Sequence, residues 1–291
     1  MNSKIYLFLE CEELEKAFIR KVTRIGYLTS RLNLFLSSKL GIVIVRDKTL
    51  LDLRKKDSDL DRASFDLDFL KGLPPGQSDK LLPLLANSKS QLRQDLFVLM
   101  ELEFKFDGYF VEFGATNGIE LSNTYLLEQE FHWRGILVEP AKIWHQDLRR
   151  NRQNATIEEV CVWGRSNVQI QFRETRIPEL STIDGLDVND EHIHLRENGE
   201  VYEVQSVSLN DLLKRNDAPN HIDYLSIDTE GSEFEILKNL NFHVYSFSVI
   251  TCEHNYSENR EKINDLLTSH GYYRKYMDIS KFDDWYVKVK D

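Results

Sequence analysis

The sequence predicts a doubly wound α/β fold with a mostly parallel sheet, an antiparallel C-terminal edge and a helical N-terminal extension. Three observations predict it. Beyond residue 88, short β-branched and aromatic runs at 109–113, 135–139, 155–162, 224–228 and 246–253 alternate with helical spacing, as expected of parallel strands buried on both faces and covered by helices. The first run leads straight into a glycine turn and then a helix. The chain closes with two aromatic-rich runs, 271–277 and 285–290, joined by a short polar turn that suits an antiparallel pair.

The preceding segments differ in kind. Residues 16–46 hold seven basic side chains and no acidic one, with Phe18, Val22, Ile25, Leu32, Leu36 and Leu40 at steps of three and four once Thr29 fills the one gap. This spacing predicts an amphipathic helix with a coiled-coil-like seam, packing on the domain or on a second copy in a homo-oligomer. A basic amphipathic helix also suits an anionic membrane surface, which stays open as the other use of this segment. Residues 47–87 are charged and broken by Gly72-Leu-Pro-Pro-Gly76 and Pro83, so they read as a linker or irregular cap. The expected division is therefore an extension and linker at 1–87 and a catalytic domain at 88–291. Ser88 and Ser90 are placed to cap a helix running to residue 100.

The net charge of −11 is unevenly spread, with +6 on residues 1–56 and −17 on the rest. Such an acidic region repels a phosphate backbone, so nucleic acid is excluded as the expected substrate and a small-molecule or glycan acceptor favoured. No run is long enough for a membrane span and the first apolar stretch is too short for a signal peptide, so a cytoplasmic location is expected. Cys11, Cys161 and Cys252 are too scattered for a disulfide framework or a zinc site.

The run at 109–113 enters Gly114-Ala-Thr-Asn-Gly118, and a helix is expected to begin near Ser122-Asn-Thr124. The glycines let backbone approach a ligand, and the helix offers its first amides. The spacing is E-x-G-x-x-x-G, whereas a dinucleotide fingerprint has G-x-G-x-x-G. Glu112 precedes the turn, where its carboxylate can face a cationic amino group such as that of a methionine moiety. The next strand ends at Glu139, 21 residues after Gly118, where a carboxylate can accept both ribose hydroxyl hydrogens. Together these features predict binding of an adenosine cofactor.

At this point the chain resembles the FkbM-type methyltransferases. The resemblance rests on Phe110-Val-Glu-Phe-Gly-Ala-Thr-Asn-Gly118, Ser122-Asn-Thr124, Gly135-Ile-Leu-Val-Glu-Pro140, Val207-Ser-Leu-Asn-Asp-Leu-Leu213, Ile222-Asp-Tyr-Leu-Ser-Ile-Asp-Thr-Glu-Gly-Ser-Glu-Phe-Glu-Ile-Leu237 and Glu253-His-Asn255. It implies a Rossmann-like fold, S-adenosylmethionine as cofactor, and O-methylation of sugar or polyketide hydroxyls. The expected cofactor-binding residues are Glu112, Gly114, Ala115, Asn117, Gly118, Ser122, Asn123, Thr124, Glu139, Pro140, Cys161, Val162 and Asp228.

Ligands of such a sheet bind beyond the carboxyl ends of its strands. Asp228 closes one strand and Glu253 and His254 close another. Asp228, Glu230 and His254 are therefore the candidate catalytic residues, His254 as a base titrating near neutral pH. Alternatively Asp228, Glu253 and His254 hold magnesium or manganese, which would acidify the acceptor hydroxyl. Glu230 suits equally the first turn of the next helix. The long connection at 174–205 is expected to include part of an acceptor lid, with His192 and His194 as surface residues. Trp144, Tyr256 and Trp285 can pack or offer a flat face to a sugar. The alternative function is an inactive cofactor-binding scaffold acting through its basic N-terminal helix.

Overall fold

The computed structural model describes residues 5–8, 43–186 and 199–289. The chain forms two compact units, Met1–Asp68 and Phe69–Asp291. The first contains an antiparallel pair, β1 (Ile5–Phe8) and β2 (Val43–Arg46), with Ile5 opposite Arg46, and most of α1 (Asp47–Gly72). A helix of 26 residues thus stands where the sequence predicts a linker. The helix breakers cluster at 72–76, so nothing interrupts the good helix formers before them. The basic seam from Phe18 to Leu40 and Cys11 lie outside the described residues. None of the described helices is long and apolar enough to cross a membrane.

In the second unit, α2 (Ser78–Leu81) and α3 (Gln94–Glu101) precede the sheet. Ser90 does satisfy an amide of the first turn of α3, accepting from Asp95 N at 3.2 Å, but from five residues upstream. The cap position belongs to Arg93, in left-handed conformation with φ 62°. Ser88 instead donates to the Asp95 carboxylate at 2.7 Å.

The winding then begins: β3 (Tyr109–Phe113), α4 (Tyr125–Phe131), β4 (Arg134–Val138), α5 (His145–Asn151) and β5 (Thr156–Glu158). The expected single strand at 155–162 is split, because β5 stays beside β4 while β6 (Cys161–Trp163) leaves for a second sheet. That four-stranded sheet, ordered β6-β9-β7-β8, contains β7 (Gln169–Glu174), β8 (Thr182–Ile183) and β9 (Glu200–Ser208). Strand β8 and most of β9 therefore lie within the expected lid region. His192 and His194 fall outside the described residues.

The main winding resumes with α6 (Leu209–Arg215), β10 (His221–Ile227), α7 (Glu233–Lys238), β11 (Ser246–Glu253), α8 (Asn259–Ser269), β12 (Tyr272–Lys275) and β13 (Asp283–Lys288). The seven-stranded sheet is ordered β12-β13-β11-β10-β3-β4-β5. Strands β5, β4, β3, β10 and β11 run parallel, and β13 and β12 add the expected antiparallel edge. Strand order reverses between β3 and β10, which opens the crevice where ligands of such sheets bind. Val111, Phe113, Ile136, Leu225, Ile227 and Ile250 share one core with Leu212, Leu237 and Leu267 from the covering helices. Trp285 is wholly buried and stacked on Phe97, with ring centroids 4.7 Å apart, so it packs the core and offers no face to a sugar.

Candidate functional site

The turn after β3 is held between two buried charges. Glu112 Oε1 accepts from Asn123 N at 2.7 Å, and Oε2 accepts from Ser122 Oγ at 3.1 Å and from Thr124 Oγ1. Its carboxylate is therefore turned into the fold and committed to the 122–124 backbone and side chains. Arg152, with no exposed surface, donates from Nε to Glu128 Oε2 at 2.7 Å, from Nη1 to Gly118 O at 3.1 Å and Ser122 Oγ at 3.0 Å, and from Nη2 to Thr124 Oγ1 at 2.8 Å. Nη1 also lies 3.8 Å from Glu112. Burial pulls the Glu112 carboxyl up, and Arg152 together with the three donors pulls it back.

The two glycines are required by space. A Cβ on Gly114, at φ 74°, would lie 2.2 Å from Asp228 O, and one on Gly118, at φ 80°, would lie 2.6 Å from Arg152 Cγ. Gly114 N and Ala115 N both donate to Val138 O, tying the turn to the end of β4. Asn117 shapes the same turn from within, its Oδ1 accepting from Ile119 N and Glu120 N at 2.9 Å each.

Glu139 closes the opposite side. Its Oε2 accepts from Thr116 N and its Oε1 from Ala141 N, each at 2.8 Å, and burial pushes the carboxyl up to about 7. Pro140 O accepts from Tyr202 Oη at 3.5 Å. Cys161 lies behind, in an apolar cluster with Ala141, Ile170 and Phe172, where burial and then Glu139 push its thiol up to about 12. Val162 belongs to the main core.

Asp228, Glu230 and Glu253 converge, offering oxygen atoms that all lie within 4.8 Å of one another. Asp228 follows β10 and Glu253 ends β11, its parallel neighbour. Burial lifts Asp228 to about 6, and burial with the neighbouring Asp228 lifts Glu253 well above the carboxylate range. Glu230 sits at φ 55°, and its Oε2 accepts from Asn255 Nδ2 at 3.3 Å.

His254 does not join them, and this corrects the expected ligand set of Asp228, Glu253 and His254 and the expected histidine base. Consecutive residues at a strand end point to opposite faces, so His254 turns away from Glu253. Its Nδ1 accepts from Tyr256 N at 2.9 Å and its Nε2 lies 3.7 Å from Asp284 Oδ1. Burial holds the imidazole down at about 4, so it stays neutral. Glu230 takes the place expected of the histidine.

Gln91, Gln94, Asn123, Asp228, Glu253 and Asp283 line a pocket at the ends of β10 and β11. Arg152, Gln94 and Asp283 are contributions that sequence reasoning missed. No local signal marks them: Arg152 stands in a polar stretch, and Asp283 opens an edge strand. Of the proposed sugar platforms, Trp144 is half-buried against the second sheet and Tyr256 is 62% exposed.

Residues 112–283 match the profile of the family described as methyltransferase FkbM domain. Among solved structures, an FkbM methyltransferase from Methylobacillus flagellatus is similar at 12% identity and TM-score 0.43, over 79% of this chain and 60% of that one. The chain therefore spans less than two thirds of that relative. A precorrin-6y C5,15-methyltransferase from Geobacter metallireducens is similar at 15% identity and TM-score 0.36, over 62% of this chain and 71% of that one. A TehB-like SAM-dependent methyltransferase from Corynebacterium glutamicum has 7% identity and TM-score 0.34, over 73% and 96%. No curated protein matches the chain.

Two outcomes follow from the buried charges. Arg152→Met leaves Glu112 and Glu128 buried without their cation, and chemical denaturation should register a loss of about 3–5 kcal/mol. Glu139, Asp228 and Asp283 are raised to about 7, 6 and 8. Carboxyls raised in the folded state contribute stability that is lost as pH rises through those values. His254, lowered to about 4, acts oppositely, but only between that value and its unfolded pKa of about 6.5. Melting temperature should therefore fall as pH rises from about 6.5 to about 8, and Asp283→Asn should flatten the upper part of that decline. A flat or rising profile for the unsubstituted protein would contradict the assignment.

Proposed function

The chain belongs to the FkbM methyltransferase family, and on that premise we propose that it transfers a methyl group from S-adenosylmethionine to a hydroxyl of a glycan or polyketide-like acceptor. The observation that carries this reading is the convergence of Asp228 and Glu253, with ligand atoms within 4.8 Å of each other, beside the pocket at the ends of neighbouring parallel strands.

The residues present fit the cofactor. Each oxygen of Glu139 accepts one backbone N–H and keeps a lone pair for a ribose hydroxyl. Gly114 leaves room where any side chain would collide with Asp228 O. The 114–118 turn, Asn123 and Glu139 would hold the molecule, while Glu112, Ser122, Thr124 and Arg152 keep that turn in shape. When bound, the sulfonium supplies an electrophilic methyl carbon and a neutral thioether as leaving group.

Displacement at a methyl carbon needs alignment and a place for the hydroxyl proton. Asp228, which lines the pocket, takes the proton of the acceptor. A value near 6 leaves Asp228 ionised at neutral pH and makes it a stronger base than an exposed aspartate. The acidic lining favours a neutral, donor-bearing acceptor over a phosphorylated one.

A second reading rests on Glu230. Three carboxylates within 4.8 Å of one another form a hard donor set, suited to magnesium or manganese, which would supply acidification of the hydroxyl.

The test is transfer of a labelled methyl group to a panel of neutral glycans and polyketide alcohols. Asp228→Asn should lower turnover by about 10²- to 10⁴-fold, and Glu139→Ala should weaken S-adenosylhomocysteine binding by about 1.5–3 kcal/mol. Unchanged turnover in Asp228→Asn removes the base. Loss of turnover on chelation, restored by magnesium, selects the cation. Binding of S-adenosylhomocysteine without transfer to any acceptor favours the scaffold.

A further inference from the structure

The carboxylate of Glu230, which joins Asp228 and Glu253, accepts from Asn255 Nδ2 at 3.3 Å. That donor stands in a turn whose backbone is left-handed at two successive positions, Asn255 at φ 43° and Tyr256 at φ 54°. Asparagine tolerates this conformation, but tyrosine brings its Cβ against the following carbonyl. Tyr256 therefore stays there only if its surroundings hold it.

His254 does so. Its Nδ1 accepts from Tyr256 N at 2.9 Å and its O from Ser257 N at 2.7 Å. Its own N–H and that of Asn255 both donate to Phe282 O, at 2.9 and 3.2 Å, which anchors the turn to a residue of the pocket wall. The Nδ1 contact reproduces, with an imidazole, the bond an asparagine side chain makes to the backbone two residues on. Nε2 has no hydrogen-bond partner among the described residues, so the hydrogen bond that the ring makes is the one at Nδ1.

The backbone of Glu230 is fixed from another side, its carbonyl accepting from Thr182 Oγ1 of β8 at 2.7 Å. The second sheet thus holds the Glu230 backbone, and the turn after β11 holds its carboxylate. Both routes proposed for the reaction need this group in place. Its charge favours a proton on the neighbouring carboxyls, and its oxygen completes the donor set for a cation.

We infer that His254 is a positioning residue for methyl transfer, its Nδ1 fixing the turn through which Asn255 holds the Glu230 carboxylate beside Asp228 and Glu253. The inference rests on the methyl-transfer reading above.

The test sets ring shape against hydrogen bonding. His254→Phe keeps a buried ring and loses the acceptor, whereas His254→Asn loses the ring and keeps an acceptor for the amide two residues on. Asn255→Gly retains the left-handed backbone and removes only the donor to Glu230. In transfer of a labelled methyl group, His254→Phe and Asn255→Gly should each lower kcat by about ten-fold or more. His254→Asn should stay within about three-fold of the unsubstituted protein, and affinity for S-adenosylhomocysteine should hold in all three. Combining His254→Phe with Asn255→Gly should slow transfer no further than either alone, because both act through one hydrogen bond. An active His254→Phe beside a slow His254→Asn overturns the inference, as do equal losses in the two, additive losses in the combined variant, or losses that follow cofactor affinity. Should a His254 variant fail to fold, unchanged kcat in Asn255→Gly overturns it and a loss at constant cofactor affinity supports it. Absence of transfer by the unsubstituted protein overturns the methyl-transfer reading instead, and positioning is then judged by proton exchange. The Tyr256 amide and the Asn255 side-chain protons should be protected in the unsubstituted protein and in His254→Asn, and both released in His254→Phe. Release of the Tyr256 amide alone, or of neither, overturns the positioning.

Discussion

A guanidinium with no exposed surface, held between two buried carboxylates, is the interaction on which the rest of this site depends. Arg152 cannot give up its charge, so its burial requires anions and acceptors in matching positions. Glu112 comes from the central strand, Glu128 from the helix after the turn, and Arg152 from the end of the next helix. One side chain thus ties together the strand, the turn and both following helices. A buried ion pair of this kind contributes little net stability relative to apolar packing, but it specifies geometry. Here the specified geometry is that of residues 118–124, through Gly118 O, Ser122 Oγ and Thr124 Oγ1.

The same principle separates two adjacent aspartates on the edge strand. Asp284 points to the side where Arg260 grips it with two contacts, at 3.0 and 2.9 Å, and Arg274 adds a third at 3.0 Å. Asp283 points to the pocket and meets only neutral donors, from Gln94 and Trp285. Strand alternation decides which of them is compensated. The uncompensated one is driven up to about 8 by burial and lies on the side of Asp228. Glu253 and His254 repeat the contrast at the end of the adjacent strand, with the carboxyl facing the pocket and the imidazole facing Asp284.

The pocket consequently collects carboxyl groups whose charges are suppressed by burial, while the cations that could neutralise them serve the opposite face. Such a cleft is poised to accept positive charge or donor groups and to refuse anions. The proposed methyl acceptor draws on that one property.

The sequence by itself determined the parallel core strands, the glycine turn, Glu139 at the end of the second strand and the antiparallel edge. These signals are local: alternation of apolar runs, glycine spacing and an acid at a strand end can be read within a few residues of each other. Only the tertiary structure decided that residues 155–162 divide between two sheets, that Glu112 is spent on the turn, and that Glu230 rather than His254 meets Asp228 and Glu253. It alone brought Arg152 and Asp283 to the site, the first from 34 residues beyond Gly118 and the second from 189 residues beyond Gln94. The reason is physical. The direction of a side chain at a strand end turns on register by a single residue, and the partners of a buried charge are chosen by packing across the sheet, which spacing along the chain does not encode.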